Sequence, residues 1–146
     1  LKNDSENRRM VCSAWIPVQT SRMALPPCHV LWNVVVIQDH INLIWHQRSC
    51  DLMLGIPFNI ASYATLLLLL AHESGLTPGI LQGTFADCHI YENQIEGAKA
   101  QVLRKPRDLP MVDLGRFPCI YDWSSQHAAL DHYNPHPKIN FGSIAV

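Results

Sequence analysis

The residues best suited to chemistry lie in the stretch 47–66, QRSCDLMLGIPFNIASYATL, where polar side chains stand among apolar ones. Arg48, Ser49 and Asp51 follow a predicted strand, and Asn59 falls in the first turn of a predicted apolar helix. A buried polar group costs about 1–3 kcal/mol when it is left unpaired. The stretch therefore indicates either a ligand that satisfies these groups, or ordinary helix capping with an ion pair between Arg48 and Asp51.

A reactive thiol lies near this stretch in the predicted fold. Cys28 follows two prolines, which fix the backbone and cannot donate to a β-ladder. The predicted strands His29–Gln38 and Ile41–Gln47 form a hairpin that brings Cys28 and Arg48 to the same end of the sheet. A guanidinium beside a thiol favours the nucleophilic thiolate. The alternative is a small, buried, apolar cysteine.

The pair Arg8 and Arg9 ends the polar opening segment. It is either a solvated surface loop or, together with Arg48 and Ser49, a phosphate site, because guanidinium groups match phosphate oxygens. The Asn59 carboxamide presents an acceptor and a donor side by side, which suits the edge of a nucleobase. Chemistry alone thus favours a nucleophilic cysteine that acts on a phosphorylated small molecule.

Composition restricts the class of protein. A chain of 146 residues, 48% hydrophobic and with a net charge of −1, predicts one globular domain, residues 1–146, with no charge pattern for nucleic acid or membrane. Five cysteines without CxxC spacing favour a reducing compartment, the cytoplasm, and no metal site is expected. No nucleophile elbow or glycine-rich phosphate loop is present. Because Leu1 is not an initiator methionine, the chain is consistent with a fragment.

The elements that must position these residues follow from hydrophobic patterning. The apolar run Ala64–Ala71 falls short of the roughly 20 residues that span a bilayer, so it predicts a buried helix, Phe58–Ser74, that ends at Gly75. The fold class is α+β, a mixed β-sheet packed against this long apolar helix. The other predicted elements are strands at Met10–Trp15, Ile80–Ala86 and Phe117–Tyr121, helical segments at Pro17–Leu25, Asn93–Leu103 and Gln126–Asp131, and a turn at 76–79.

Four motifs carry a resemblance to a known family. They are ALPPCHV around Cys28, the stretch 47–66, DCHIY at 87–91 and YNPHPKI at 133–139. In this order the chain resembles thymidylate synthase along its whole length, and it is similar to about the second half of that enzyme. The resemblance implies a methyltransferase that converts dUMP to dTMP, with 5,10-methylenetetrahydrofolate as one-carbon donor and reductant.

The resemblance also implies a role for each matching residue. Cys28 is the nucleophile that adds to C6 of uracil, and Arg48 and Asn59 complete the catalytic set. The residues that hold dUMP are Arg8, Arg9, Arg48, Ser49, Asp51, Asn59, His89 and Tyr91. The folate contacts are Asp51, Leu54, Gly55, Phe58 and Ala145. Because Arg8 and Arg9 reach the phosphate of the neighbouring subunit in the family, a homodimer is implied.

Two alternatives stay open beside the synthase. One is a dUMP hydroxymethylase, in which water ends the reaction in place of hydride. The other is a non-catalytic nucleotide-binding or dimerising piece, and a chain that lacks the family's first half is expected to be inactive alone. The departures from the family pattern are Ala86, His40 and His132 at usual glycine positions, His46 for tyrosine and Gln94 for histidine.

Overall fold

The computed structural model describes residues 1–141. By their internal contacts, the residues of the chain divide into two compact units, Leu1–His89 and a second unit that begins at Ile90. The site residues predicted around Cys28 belong to the first unit, whereas Tyr91 belongs to the second. A single domain over residues 1–146 stays a prediction.

The first unit is built on a four-stranded sheet. Its strands are β1 (Val11–Ser13), β2 (His29–Ile37), β3 (His40–Asp51) and β4 (Thr77–His89), and they lie in the order β1-β2-β3-β4. The pairs β1/β2 and β2/β3 are antiparallel, while β3/β4 is parallel. The sheet is therefore mixed, as predicted, and a 3₁₀ turn (Pro17–Arg22) connects β1 to β2.

Strands β3 and β4 are both longer than predicted. β3 continues through Arg48 to Asp51, because β4 pairs with it along this part as well, up to Asp51 opposite His89. The turn predicted at 76–79 is wrong, since Thr77 already begins β4. Pro78 is tolerated there because β4 is an edge strand, where a missing N–H breaks no ladder bond on the outer side.

Helix α1 (Gly55–Ser74) crosses one face of the sheet. Pro57 fits its first turn, where backbone N–H groups have no partner inside the helix. Gly75 ends the helix with φ of 69°, and its N–H donates to the carbonyls of Ala71 and His72. The predicted end is confirmed, and the start lies three residues before the predicted one. The core consists of Val34, Ile41, Leu43, Trp45, Tyr63, Leu67 and Ala71.

The outer side of α1 is not covered within the first unit. Phe58 is 74% exposed and Ile60 is 44% exposed. With 20 residues, α1 is long and apolar enough to cross a membrane, judged by length and composition alone. The prediction that this apolar segment is too short to span a bilayer, which was based on residues 64–71, therefore does not hold. The prediction of a helix packed on the sheet is confirmed for the side that carries Tyr63 and Leu67.

The second unit contains α2 (Ile95–Val102), which follows a 3₁₀ turn at Glu92–Gln94, and a pair of antiparallel strands. These are β5 (Met111–Asp113) and β6 (Ala129–Asp131). The strand predicted at 117–121 is wrong, and Pro118, which lacks a donor, explains why no ladder forms there. The helical segment predicted at 126–131 is present only at its start, in the 3₁₀ turn Ser125–His127, because pairing with β5 holds Ala129–Asp131 extended.

Candidate active site

Cys28 and Arg48 meet where β2 begins, as the predicted hairpin requires. The Arg48 backbone N–H donates to the Cys28 carbonyl at 2.9 Å, and Nη2 of Arg48 lies 3.9 Å from Cys28 Sγ. Both residues are half-buried. The thiol is therefore reachable, and the Arg48 guanidinium lies beside it.

The backbone of the two prolines fixes the Arg48 guanidinium. Nη2 donates to the Pro26 carbonyl at 2.7 Å, and Nε donates to the Pro27 carbonyl at 3.1 Å. The guanidinium carbon also lies 5.9 Å from the centre of the Trp15 ring, within the range of a cation–π contact. The ion pair with Asp51 considered from the sequence is not formed in the part of the chain that the structure describes.

A chain of hydrogen bonds fixes the orientation of the Asn59 side chain. The Trp45 indole N–H can only donate, and it donates to Gln47 Oε1 at 3.3 Å. Gln47 therefore presents its Nε2 to Asn59 Oδ1 at 3.0 Å and to the Ser49 carbonyl at 3.1 Å. It follows that the Asn59 carboxamide oxygen faces Gln47, while its two N–H donors remain for other partners.

Stacked aromatic rings lie on the core side of β2 and β3. His29 Nδ1 is 3.1 Å from the Tyr63 hydroxyl, and the Tyr63 ring stacks on Trp45 with 4.8 Å between ring centres. Burial lowers the pKa of His29, which favours its neutral form. The pKa of Tyr63 is raised by burial and, to a smaller extent, by the negative charge of a Cys12 thiolate. These rings support the strand that begins directly after Cys28.

Asp51 organises the turn between β3 and α1. Its Oδ1 accepts hydrogen bonds from the backbone N–H groups of Met53 at 3.0 Å and Leu54 at 3.1 Å. These bonds close an Asx turn before the helix. The cap considered for Asn59 is not formed, because α1 has no side-chain hydrogen bond at its N-cap, Leu54. The carboxylate oxygen Oδ1 is committed to this turn, beside the predicted folate residues Leu54, Gly55 and the exposed Phe58.

The remaining site residues of the first unit occupy two places. His89 ends β4 opposite Asp51, and its Nδ1 lies 3.4 Å from Asp87 Oδ1. Arg8 and Arg9 are exposed in the opening loop and line a surface hollow with Asp4, Glu6 and Asn7. That hollow contains neither Cys28 nor Arg48 among its lining residues. The structure thus brings Cys28 and Arg48 together, and it gives the two opening arginines a separate location.

Two predicted site residues are not part of this geometry. Tyr91 belongs to the second unit, where its backbone N–H donates to Gln94 Oε1 at 3.2 Å. Gln94 is buried, so the residue that replaces the usual histidine has a structural contact. Ala145 lies outside the described residues. Among residues 1–141, no group of three or more histidine, cysteine or acidic side chains could hold a metal ion.

Gln47, His29 and Tyr63 belong to this site, although none of them was expected from the sequence. A signal for Gln47 existed, because the core positions of β3 alternate as Ile41, Leu43, Trp45 and Gln47. A glutamine at the fourth of these positions is 3% exposed and needs partners. The pairing of His29 with Tyr63 carries no such signal, since 34 residues separate them in sequence.

Comparison with known proteins agrees with the motifs. The family described as thymidylate synthase matches residues 1–146, the whole chain. The thymidylate synthase of Mycoplasma genitalium is 44% identical over 146 residues, which make up 100% of this chain and 50% of that protein. The chain therefore spans about half the length of this curated relative. The resemblance is confirmed, and the chain belongs to the thymidylate synthase family.

Proposed function

We propose that this chain forms the nucleophile and nucleotide site of a thymidylate synthase that converts dUMP to dTMP. The observation that carries the proposal is the thiol of Cys28, 3.9 Å from a guanidinium that backbone carbonyls hold in place. Because the chain spans half the length of its relative, the complete reaction is proposed only for a longer protein. The chain alone is proposed to bind the nucleotide without turnover.

The proposed phosphate site uses the positive charge at the end of the sheet. Arg48 and Ser49 supply guanidinium and hydroxyl donors, both of which suit phosphate oxygens. Arg8 and Arg9 are proposed to serve the site of a second copy, which fits their exposed position in a hollow that Cys28 does not line. His89, Tyr91 and Asp51 are proposed to contact the remaining parts of the nucleotide.

Asn59 is proposed to select uracil. Its Oδ1 has two lone pairs, of which Gln47 takes one. The second lone pair is suited to the uracil N3–H, and the Asn59 N–H groups are suited to the O4 carbonyl. Cytosine presents an unprotonated N3 and an amino group at the same positions. Its N3 acceptor would face the Asn59 Oδ1 acceptor, and its amino donor would face the Asn59 N–H donors.

The proposed chemistry begins with the Cys28 thiolate. Its sulfur adds to C6 of the ring, the C5–C6 double bond opens, and the electron pair moves through C5 towards O4, where an Asn59 N–H would stabilise the negative charge. Arg48 lies beside the attacking sulfur, with Nη2 3.9 Å from Sγ. The exposed Phe58 and the neighbouring Leu54 offer apolar surface that fits a flat folate ring. When bound, 5,10-methylenetetrahydrofolate supplies the one-carbon unit and the hydride.

A homodimer is proposed for the face of the sheet that α1 does not cover. Val35, Ile37 and Ile80 are 41%, 62% and 69% exposed on that side, and they line a hollow with Asn42, Ile44 and Gln82. A second copy would bury this apolar surface. Sedimentation equilibrium should give a dimer for the wild type and a monomer for Ile80→Lys, while a wild-type monomer would contradict the proposal.

A cytoplasmic location is proposed because the five cysteines are free.

Covalent capture tests the nucleophile. Incubated with 5-fluoro-dUMP and 5,10-methylenetetrahydrofolate, the longer protein should gain both masses in denaturing mass spectrometry, and Cys28→Ser should gain neither. Cys119→Ser is the matched control and should form the adduct. An adduct on the Cys28→Ser protein would contradict this role. A hydroxymethyl product in the turnover assay would indicate the hydroxymethylase instead. Binding of dUMP with no product from the longer protein would indicate the non-catalytic nucleotide-binding piece, and absence of dUMP binding would indicate an incomplete scaffold.

A further inference from the structure

The second unit contains a polar hollow that has no part in the proposed reaction. Its volume is about 860 Å³, and every residue that lines it is exposed to solvent. The lining residues are Lys105, Pro106, Arg107, Asp108, Leu130, His132, Tyr133 and Asn134. All of them belong to the unit that begins at Ile90, so the hollow lies within that unit.

The two chain segments that line the hollow are bound to each other. The Arg107 Nη1 donates to the carbonyls of Asn134 at 3.0 Å and of Pro135 at 2.9 Å. In the opposite direction, the His136 Nε2 donates to the Lys105 carbonyl at 2.8 Å, because a carbonyl oxygen can only accept. The lining is therefore held in place before a ligand arrives, which limits the entropy lost on binding.

Arg107 keeps donors for a ligand. Its hydrogen bonds to other residues in the part of the chain that the structure describes all come from Nη1, and they go to Asn134 and Pro135. The N–H groups on Nε and Nη2 remain, and they form one edge of the planar guanidinium. Such an edge matches two oxygens of a phosphate or a carboxylate.

Lys105 adds a second cation to the same hollow. Within residues 1–141, neither Lys105 nor Arg107 forms an ion pair with an acidic side chain. Two positive charges among the lining residues stand against the one negative charge of Asp108. The hollow therefore has a net positive charge, which favours an anion over a cation.

The other lining residues are suited to the organic part of a ligand. Leu130 is 53% exposed and Tyr133 is 58% exposed. A tyrosine offers a flat apolar ring face together with a hydroxyl donor. The volume of about 860 Å³ also lies in the range of sites for small organic molecules, roughly 300–1,000 Å³.

We propose that the polar hollow binds a small organic molecule that carries a phosphate group. Arg107 and Lys105 hold the phosphate, and Tyr133 and Leu130 contact the organic part. Phosphate is favoured over carboxylate because a dianion gains more from two cations. The hollow shares no residue with the proposed dUMP site, so the inference does not depend on the proposed function.

Nuclear magnetic resonance of the whole ¹⁵N-labelled chain tests the site, with phenyl phosphate as the probe. The amide signals of residues 105–108 and 130–134 should shift with one common Kd. Inorganic phosphate should shift them with a Kd about tenfold higher, and phenol at the same concentration should not shift them. Absence of these shifts at about 20 mM phenyl phosphate would overturn the site. Equal Kd values for phenyl phosphate and inorganic phosphate would overturn the contact with an organic part.

Two substitutions test the assigned donors. Lys105→Gln removes a charge and leaves the backbone carbonyl that His136 binds, and it should raise the Kd for phenyl phosphate by about tenfold. Arg107→Lys keeps the charge and removes the planar edge, so it should raise the Kd similarly. Lys138→Gln removes an exposed charge of the same unit that does not line the hollow, and it should leave the Kd unchanged. An unchanged Kd in a Lys105→Gln chain whose spectrum otherwise matches wild type would overturn the proposal, as would an equal loss in Lys138→Gln.

Discussion

Gln47 donates from Nε2 to Oδ1 of Asn59 over 3.0 Å, and this bond joins the core face of β3 to the first turns of α1. Gln47 is 3% exposed and also accepts from the Trp45 indole. The position of the Asn59 carboxamide is therefore set from inside the protein. Any nucleotide at this site would meet an amide whose orientation is already fixed, which reduces the entropy lost on binding.

We expect Gln47→Leu to weaken dUMP binding by about tenfold and to lower the free energy of unfolding by about 1–3 kcal/mol. The substitution leaves the Trp45 N–H without its acceptor, and it frees the Asn59 carboxamide to rotate. Calorimetric titration and urea unfolding measure the two effects. Gln19→Leu makes the same change at an exposed position and should leave both values near wild type. Unaltered dUMP affinity in Gln47→Leu would contradict the role of Gln47 in positioning Asn59.

We expect Asn59→Asp to weaken dUMP binding by about 10–100-fold and to improve dCMP binding, because a carboxylate accepts from the cytosine amino group but cannot donate to uracil O4. Parallel titrations with the two nucleotides measure the change. Asn3→Asp introduces the same charge in the exposed opening segment and is the control. An equal loss of both nucleotides would mean that Asn59 supports the pocket without reading the base.

We expect Arg48→Gln to slow alkylation of Cys28 by iodoacetamide by about tenfold at about pH 8, since the positive charge beside the thiol is removed. Mass spectrometry of tryptic peptides measures each cysteine separately. Cys50 serves as an internal reference, because burial, followed by the negative charges of Cys88, Cys28 and Asp87, raises its pKa to about 11. Arg22→Gln is the control variant, and a Cys28 rate that does not change would show that Arg48 does not activate the thiol.

We expect the first unit to lose stability as the pH falls below about 6.5, the ordinary pKa of histidine. Burial lowers the pKa of His29 in the folded state. The unfolded chain therefore binds a proton at a higher pH than the folded chain, so stability is complete above the unfolded pKa and declines towards the folded one. Urea midpoints measured from about pH 8 to about pH 5 should fall less steeply for His29→Gln than for wild type. His46→Gln is the control on β3, and an identical slope for wild type and His29→Gln would contradict the assignment.

We expect His132→Gly to stabilise the second unit by about 0.5–1 kcal/mol, because His132 has φ of 59°, where a Cβ atom is strained. Of the three residues at usual glycine positions, His132 alone has a positive φ. In the β2–β3 turn the positive φ falls on Gln38 in place of His40. Urea unfolding measures the change. Ala128→Gly, at φ of −81°, is the control and should destabilise the unit. A lower stability of His132→Gly would show that the histidine makes contacts that outweigh the strain.

Local signals predicted much of the first unit. The hairpin of β2 and β3, the end of α1 at Gly75 and the approach of Arg48 to Cys28 follow from strand length, a helix stop and two prolines. Each of these depends on residues that are close in sequence or joined by one tight turn. The packing of an apolar helix against the sheet followed from the same patterns.

Pairings between distant segments could not be predicted in this way. The parallel register of β4 against β3 is set by side chains that pack across 38 positions, such as Leu43 opposite Leu81. The three-residue strands β5 and β6 stabilise one another and carry little pattern of their own. Within the second unit, the close approach of the Phe141 ring to Gly97 depends on a contact that no periodicity reveals.

The contacts of Arg48 have a consequence for the electrostatics of the site. The guanidinium is oriented by the carbonyl oxygens of Pro26 and Pro27, which are dipoles and carry no net charge. A carboxylate in their place would fix the side chain equally well but would cancel its field. Among the described residues, no acidic side chain forms an ion pair with Arg48. Arg48 thus keeps its full positive charge at a fixed position. A thiolate or a phosphate dianion that enters the site would be the first anion to neutralise that charge.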